Sequence, residues 1–238
     1  MIDRYISNEI NSIWNDQNRF NTWKLVQEKF VETLEQLNIA EVGVAEKIRK
    51  AEVTKDEVYK REEITNHDLA SFVDILQEKV GEGSNWIHYG LTSSDVVDTA
   101  NSMLILQSIG IVEESINNLL SILQERAIQE KDTVIIGRTH GVYAEETFLG
   151  NIFGNWHLEI QRSLKRIESS KNNIAIGKLS GPVGNHSVVT EKMEKLTLEK
   201  LDLAPETFAN QIVSRDRYAE VISALGILAS TYERIATN

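Results

Sequence analysis

The chain has 238 residues, a formal net charge of −11 and no cysteine. That acid excess argues against a surface built to neutralise nucleic-acid phosphates, and the missing thiol excludes disulfides and thiolate chemistry and fits a reducing compartment. No apolar run approaches the roughly 18 residues a membrane span needs, and the opening MIDRYISNEI lacks the basic and apolar regions of a secretion signal; the expectation is a cytoplasmic protein. A small anion is still compatible with the charge, provided a few identifiable residues make one pocket locally positive.

With 41% hydrophobic and 26% charged residues the composition is that of an ordinary globular protein. Only two prolines occur, Pro182 and Pro205, which favours long uninterrupted helices. In chain order the pattern predicts helix from Glu9 to about Leu37 in one or two pieces, then over VAEKIRKAEV, KDEVYKREE and DLASFVDILQEKVGE. Gly81, Gly83 and Ser84 end the last of these, and NWIHYGLTSSD follows as a loop. One very long helix is expected over 94–131, with Ile116, Leu119, Leu120, Leu123 and Ala127 on a buried stripe. The stretch 134–150, VIIGRTHGVYAEETFLG, reads as an interruption. Helix resumes over 144–170, its stripe being Leu149, Ile152, Phe153, Trp156, Ile160, Leu164 and Ile167. The loop IGKLSGPVGNH leads to a helix at 188–202. A last helix is expected from near Ala209, with Ile222, Leu225, Ala229, Tyr232 and Ile235 in register. It reaches Asn238 without a glycine stop signal, so the expectation is a sequence cut off within a helix. The fold class is all-α, with a small N-terminal helical domain (1–92) followed by the first part of a long-helix bundle (93–238). Helices of this length bury their stripes in a bundle, often an oligomeric one.

Of the five histidines, three lie between helices, where a rigid scaffold presents side chains to a cleft: His67 in TNHDLAS, His88 in WIHYGLTSSD and His140 in GRTHG. Imidazole titrates near neutrality, which suits acid–base work. Thr65, Asn66 and Asp68, and likewise Thr92, Ser93, Ser94 and Asp95, also fit as helix caps. The two roles are compatible, because a helix N-terminus with free N–H groups and hydroxyls is a natural carboxylate or phosphate site. His157 lies within a helix and reads as structural; His186 follows a glycine-rich loop and is open to either role. No HExxH, cysteine–histidine cluster, GxSxG, Walker loop or GxGxxG occurs, so neither a metal nor a cofactor is expected. The residues alone reach proton-transfer chemistry on an anion and stop there.

GRTHGVYAEE, HYGLTSSDVVDTA, MIDRY, NHD, GKLSGPVGN and SRDRYAE, together along one chain, resemble the adenylosuccinate lyases of the aspartase/fumarase superfamily. The glycine after Thr139-His140 favours that branch. The resemblance implies an aspartase/fumarase-like fold and elimination of fumarate from adenylosuccinate, giving AMP, and from a succinyl-carboxamide ribotide earlier in purine synthesis. It implies a purine nucleotide and fumarate as small-molecule partners, no cofactor, and a homotetramer whose sites combine three subunits. By the same resemblance His140 is the general acid and His67 assists through phosphate contacts. Arg4, Tyr5, Asn66, Asp68, Thr92, Ser93 and Thr139 are substrate-binding, Gln211 reaches the succinyl end, and His88 lies near the site.

The chain departs from the family at Tyr143-Ala144-Glu145-Glu146, at Phe148, and at Asn66, where some branches carry arginine. The family's serine-rich signature loop, with its catalytic base, corresponds to a point beyond Asn238. The alternatives are a short non-catalytic paralogue that binds or regulates a lyase oligomer, and a lyase acting on another amino-succinyl substrate.

Overall fold

The computed structural model describes residues 3–238, so Met1 and Ile2 of the MIDRY stretch lie outside the described residues. After a 3-10 turn at Asp3–Tyr5 come α1 (Asn8–Trp14), α2 (Asp16–Gln36), α3 (Val44–Lys50), α4 (Lys55–Thr65) and α5 (Asp68–Val80). A second 3-10 turn, Ser84–Trp86, leads to α6 (Ser93–Gln129), β1 (Val134–Thr139), β2 (Val142–Phe148) and α7 (Leu149–Ile174). The chain continues through β3 (Ile176–Gly177), α8 (Glu191–Glu199), β4 (Ala204–Pro205) and α9 (Asp216–Thr237). Among the described residues the fold is all-α apart from one antiparallel hairpin, β1–β2, and a two-residue parallel pairing of β3 with β4. No helix among the described residues is long and apolar enough to cross a membrane.

The chain packs as two compact units. The first holds the part up to Ser108 together with Ile174–Arg215; the second holds Ile109–Asn173 with Asp216–Asn238. In the first, local signals set the elements. Ser7 and Asn15 accept from backbone N–H groups to start α1 and α2, and Thr54 with Glu57 forms a reciprocal capping box on α4. The core centres on Phe20, Trp23 and Phe72, with Trp23 edge-on to both phenyl rings at 5.2 and 5.6 Å. It continues without a break into Leu179, Val189, Leu198, Leu201 and Leu203 from the segment after α7, so the glycine loop near 180 rests on the same apolar base as the N-terminal helices.

In the second unit the buried residues Ile109, Ile116 and Leu123 of α6, and Ile160 and Ile167 of α7, recur every seven positions, the spacing of helices lying nearly parallel along a seam. Glu113 pairs with Lys171 at 2.6 Å across α6 and α7, and His157 Nδ1 donates to the Leu120 carbonyl at 3.1 Å, the structural role expected of that histidine. Glu159 of α7 receives both Thr231 and Arg234 of α9.

Three elements differ from the sequence reading. Residues 144–148 are strand rather than helix: β-branched Val134, Ile135, Ile136, Val142 and Thr147 favour extended backbone, and His140-Gly141 forms a two-residue turn with φ of +54° and +76°, the signature of a type I′ hairpin. Both faces are mostly exposed, so no alternation of burial marked the strands. The last helix begins at Asp216, not near Ala209. Asp98 of α6 takes the Val213 N–H at 2.9 Å, and a helix through 209–213 would need that group for its own ladder. Finally, α9 buries Val221, Ala224, Leu228 and Thr231, whereas Ile222 is 68% exposed. The helix carries two adjacent apolar stripes, and the described residues cover only one of them.

Candidate functional site

The turn between α4 and α5 brings the first candidates forward. Asn66 ends α4 in the left-handed region (φ +53°), its N–H donating to Glu62 at 2.8 Å. His67 itself caps α5: its Nδ1 accepts from the Ala70 N–H at 3.3 Å. The cap expected from Thr65, Asn66 or Asp68 is therefore supplied by the imidazole, and Asp68 accepts instead from the Leu69 N–H at 2.7 Å. With Nδ1 an acceptor, the neutral ring carries its proton on Nε2, which faces Ser93 Oγ at 3.3 Å. His67 thus joins the start of α5 to the start of α6.

Thr92, Ser93 and Ser94 are partly exposed at the head of the 37-residue helix α6. The Asp95 carboxylate reaches back to the Thr92 N–H at 2.8 Å, half of a capping box. Hydroxyls, unsatisfied helix N–H groups, the positive end of the helix dipole and the His67 Nε2–H together make a donor set suited to a phosphate or carboxylate.

His88 sits behind this corner with φ +63°. Gln27, fully buried on α2, holds it at both ends: Gln27 Nε2 donates to the ring Nδ1 at 2.9 Å, and Gln27 Oε1 accepts the His88 N–H at 2.9 Å. Burial, with a smaller contribution from His67, pushes the His88 pKa down to about 4. Since the folded value lies below the unfolded value near 6.5, the unfolded chain binds the extra proton first. The His88 contribution to stability is complete above about pH 6.5 and fades as pH falls towards 4, a loss of at most about 3 kcal/mol. His88→Asn tolerates the positive φ and removes the titration; urea unfolding at pH 7 and pH 4.5 is expected to give a smaller pH difference for the variant. Equal differences would mean that His88 is not held neutral.

The remaining candidates lie on other elements of the two units. Arg4 stacks over the Tyr5 ring at 4.8 Å, both exposed, and their contact is with each other rather than with His67 or Ser93. Gln211 is exposed in the irregular segment before α9. That segment is pinned by Asp98, which also pairs with Arg215 at 3.1 Å. In the second unit Thr139 pairs with Val142 across the hairpin and His140 is exposed at its tip, next to Arg138, which lies 5.0 Å over the Tyr143 ring.

The glycine loop that follows β3 borders a pocket of about 300 Å³ lined by Ser180, Asn185, His186, Glu191, Glu206 and Phe208 among others. His186 Nδ1 donates to the Val189 carbonyl at 3.0 Å, and its Nε2 lies 3.6 Å from Glu194, whose carboxyl burial pushes up. No group of three or more histidine, aspartate or glutamate residues able to hold a metal ion is present among the described residues. Sequence reasoning missed the buried polar residues Gln27, Asp98 and Lys178. Gln27 and Asp98 carried one signal, a polar side chain on an otherwise apolar helix face, and Lys178, in a loop, carried none.

The family model described as lyase matches residues 7–238. Adenylosuccinate lyase of Thermotoga maritima is 39% identical over 99% of this chain and 55% of its own length. The enzymes of that name from Helicobacter pylori and Bacillus subtilis are each 36% identical, over 54% and 55% of their lengths; the chain therefore spans about half the length of the curated relatives it matches. Among solved structures, a fumarate lyase from Mesorhizobium sp. BNC1 superposes with a TM-score of 0.90 at 19% identity, over 97% of this chain and 56% of that one. The 3-carboxy-cis,cis-muconate lactonizing enzyme of Pseudomonas putida gives 0.91 at 18%, over 99% and 56%. At such identities the likeness is one of fold. The sequence match over nearly the whole chain goes further: this chain belongs to the lyase family.

Proposed function

We propose that the full-length protein is an adenylosuccinate lyase, eliminating fumarate from adenylosuccinate and from the analogous succinyl-carboxamide ribotide, and that it works in the cytoplasm. The observation that carries this reading is the corner where His67 meets Ser93 at the head of α6. It gathers neutral and helix-end donors of the kind that hold a phosphate or a carboxylate. Thr92, Ser93 and His67 hold a phosphate or carboxylate there, Asn66 and Asp68 flank it, and Arg4, Tyr5 and Gln211 close on the nucleotide and succinyl ends.

A base removes the proton from the succinyl carbon beside the C–N carbon. The resulting carbanion expels the purine amine, and His140 donates the proton that the departing nitrogen needs. The base belongs to the chain beyond Asn238. The sites are completed between subunits of a homotetramer; the exposed Ile122, Ile128, Leu158, Ile222 and Ile227 of α6, α7 and α9 support such an assembly.

Following fumarate release by the purified full-length protein, from adenylosuccinate and from argininosuccinate in parallel, tests the substrate. Turnover of adenylosuccinate is expected; turnover of argininosuccinate alone would overturn the reading, and release from neither would leave the short-paralogue alternative standing.

A further inference from the structure

Lys178 and Asp95 are both fully buried, and they form an ion pair inside the first unit. Every polar atom of the pair is used. Lys178 Nζ also donates to the Gly181 carbonyl at 2.9 Å. The second Asp95 oxygen accepts from the Thr92 N–H at 2.8 Å and from the Gly181 N–H at 3.1 Å. One turn further along α6, the Thr99 hydroxyl accepts from the Lys178 N–H at 3.0 Å and donates to the Lys178 carbonyl at 3.2 Å. The next residue, Leu179, donates its N–H to Glu194 of α8 at 2.7 Å.

Stability alone does not call for such a pair. Two charges taken out of water recover little over apolar residues of the same volume, and burial raises the Asp95 carboxyl above its ordinary value even with Lys178 against it. What an apolar pair cannot supply is direction. The Asp95–Lys178 pair ties two backbone groups of Gly181 and one of Thr92 to fixed points, so the glycine loop and the first turn of α6 hold one register.

We propose that Asp95 and Lys178 are positioning residues, which set the first turn of α6 so that Ser93 faces the His67 imidazole and both Thr92 and Ser93 face the anionic group bound there. The proposal rests on the reading of that corner as the substrate's anion site. Neither residue touches the ligand; both act through the backbone of Thr92 and the side chain of Ser93.

The test uses full-length protein carrying Asp95→Asn with Lys178→Met, which removes both charges together and leaves no lone ion in the core. Two quantities are read: the affinity for AMP by calorimetry, and the His67 ring signals by NMR of histidine-labelled protein without ligand, assigned with His67→Asn. The expected result is AMP binding weakened about 10–100-fold, by analogy with other outer-shell partners, and shifted His67 signals from the altered Ser93 contact. Adding Ser93→Ala to the double variant is expected to cost little more, because the two changes act through one group. A folded double variant with unchanged His67 signals would overturn the proposal. Should that variant fail to fold, Asp95→Asn alone, which keeps acceptors near Lys178, takes its place: shifted His67 signals support the proposal and unchanged signals overturn it. If the unsubstituted protein does not bind AMP, the anion-site reading fails, while the His67 signals still decide whether the pair positions the corner.

Discussion

Replacing His140 by asparagine in the full-length protein is expected to lower kcat for fumarate release by about 10²–10⁴-fold, the usual contribution of a general acid, with KM changed only a few-fold. The choice of asparagine follows from the backbone. His140 occupies the first turn position of the β1–β2 hairpin at φ +54°, followed by Gly141 at +76°. A type I′ turn accepts asparagine there readily, whereas alanine in the left-handed region costs about 1–2 kcal/mol. The His140→Asn variant therefore keeps the hairpin and removes the imidazole, while His140→Ala confounds the two. Unchanged protease sensitivity of residues 134–148 checks that the turn survives. An unchanged kcat in that variant would take His140 out of the mechanism; a collapse confined to KM would make it a binding group.

Much of the scaffold was legible because helix signals are local. The glycine stop at Gly81 and the apolar spacing of α6 and α7 are written in neighbouring residues. The hairpin was not, because its apolar side chains lie on faces this chain leaves exposed, so strand periodicity had no buried face to reveal it. The start of α9 depended on Asp98, 115 positions earlier in the chain, capturing the Val213 N–H; no window around Ala209 contains that information. The site divides in the same way. His67, Thr92 and Ser93 stood out as hydroxyls and imidazoles at helix starts, and the structure joins His67 to Ser93. Gln27 and Lys178 looked like ordinary polar residues in a helix and a loop. Their importance lies in being buried with specific partners, a property of tertiary packing rather than of composition. The double stripe on α9 is the intermediate case: the sequence shows both faces, and only packing says which one this chain covers.

Gly184→Ala is expected to cost about 2–5 kcal/mol, the sum of a left-handed backbone penalty and an overpacking penalty. Gly184 has φ +74°, and a Cβ built on it would lie 1.9 Å from the Ala209 carbonyl oxygen and 2.9 Å from that of Asn210. Neither side yields easily. The glycine loop is held at Gly181 by Asp95 and Lys178. The 206–213 segment is held at one end by the Glu206 N–H on the Gly177 carbonyl at 2.9 Å, and at the other by Asp98 on Val213. The displacement therefore falls on the residues between those anchors, which include Gln211. A shift of about 1 Å in a positioning group is enough to cost on the order of 10²-fold in turnover. Gly181→Ala supplies the control. It has a comparable φ of +83°, but its Cβ meets only the Gly90 carbonyl oxygen at 3.5 Å, an ordinary contact, so it should show the backbone penalty alone. Urea unfolding of the two variants separates the terms, and new protease cleavage within 206–212 is expected for Gly184→Ala only. Equal destabilisation by both would mean that the glycine loop and the Gln211 segment are not in close contact, and that Gln211 is positioned by Asp98 alone.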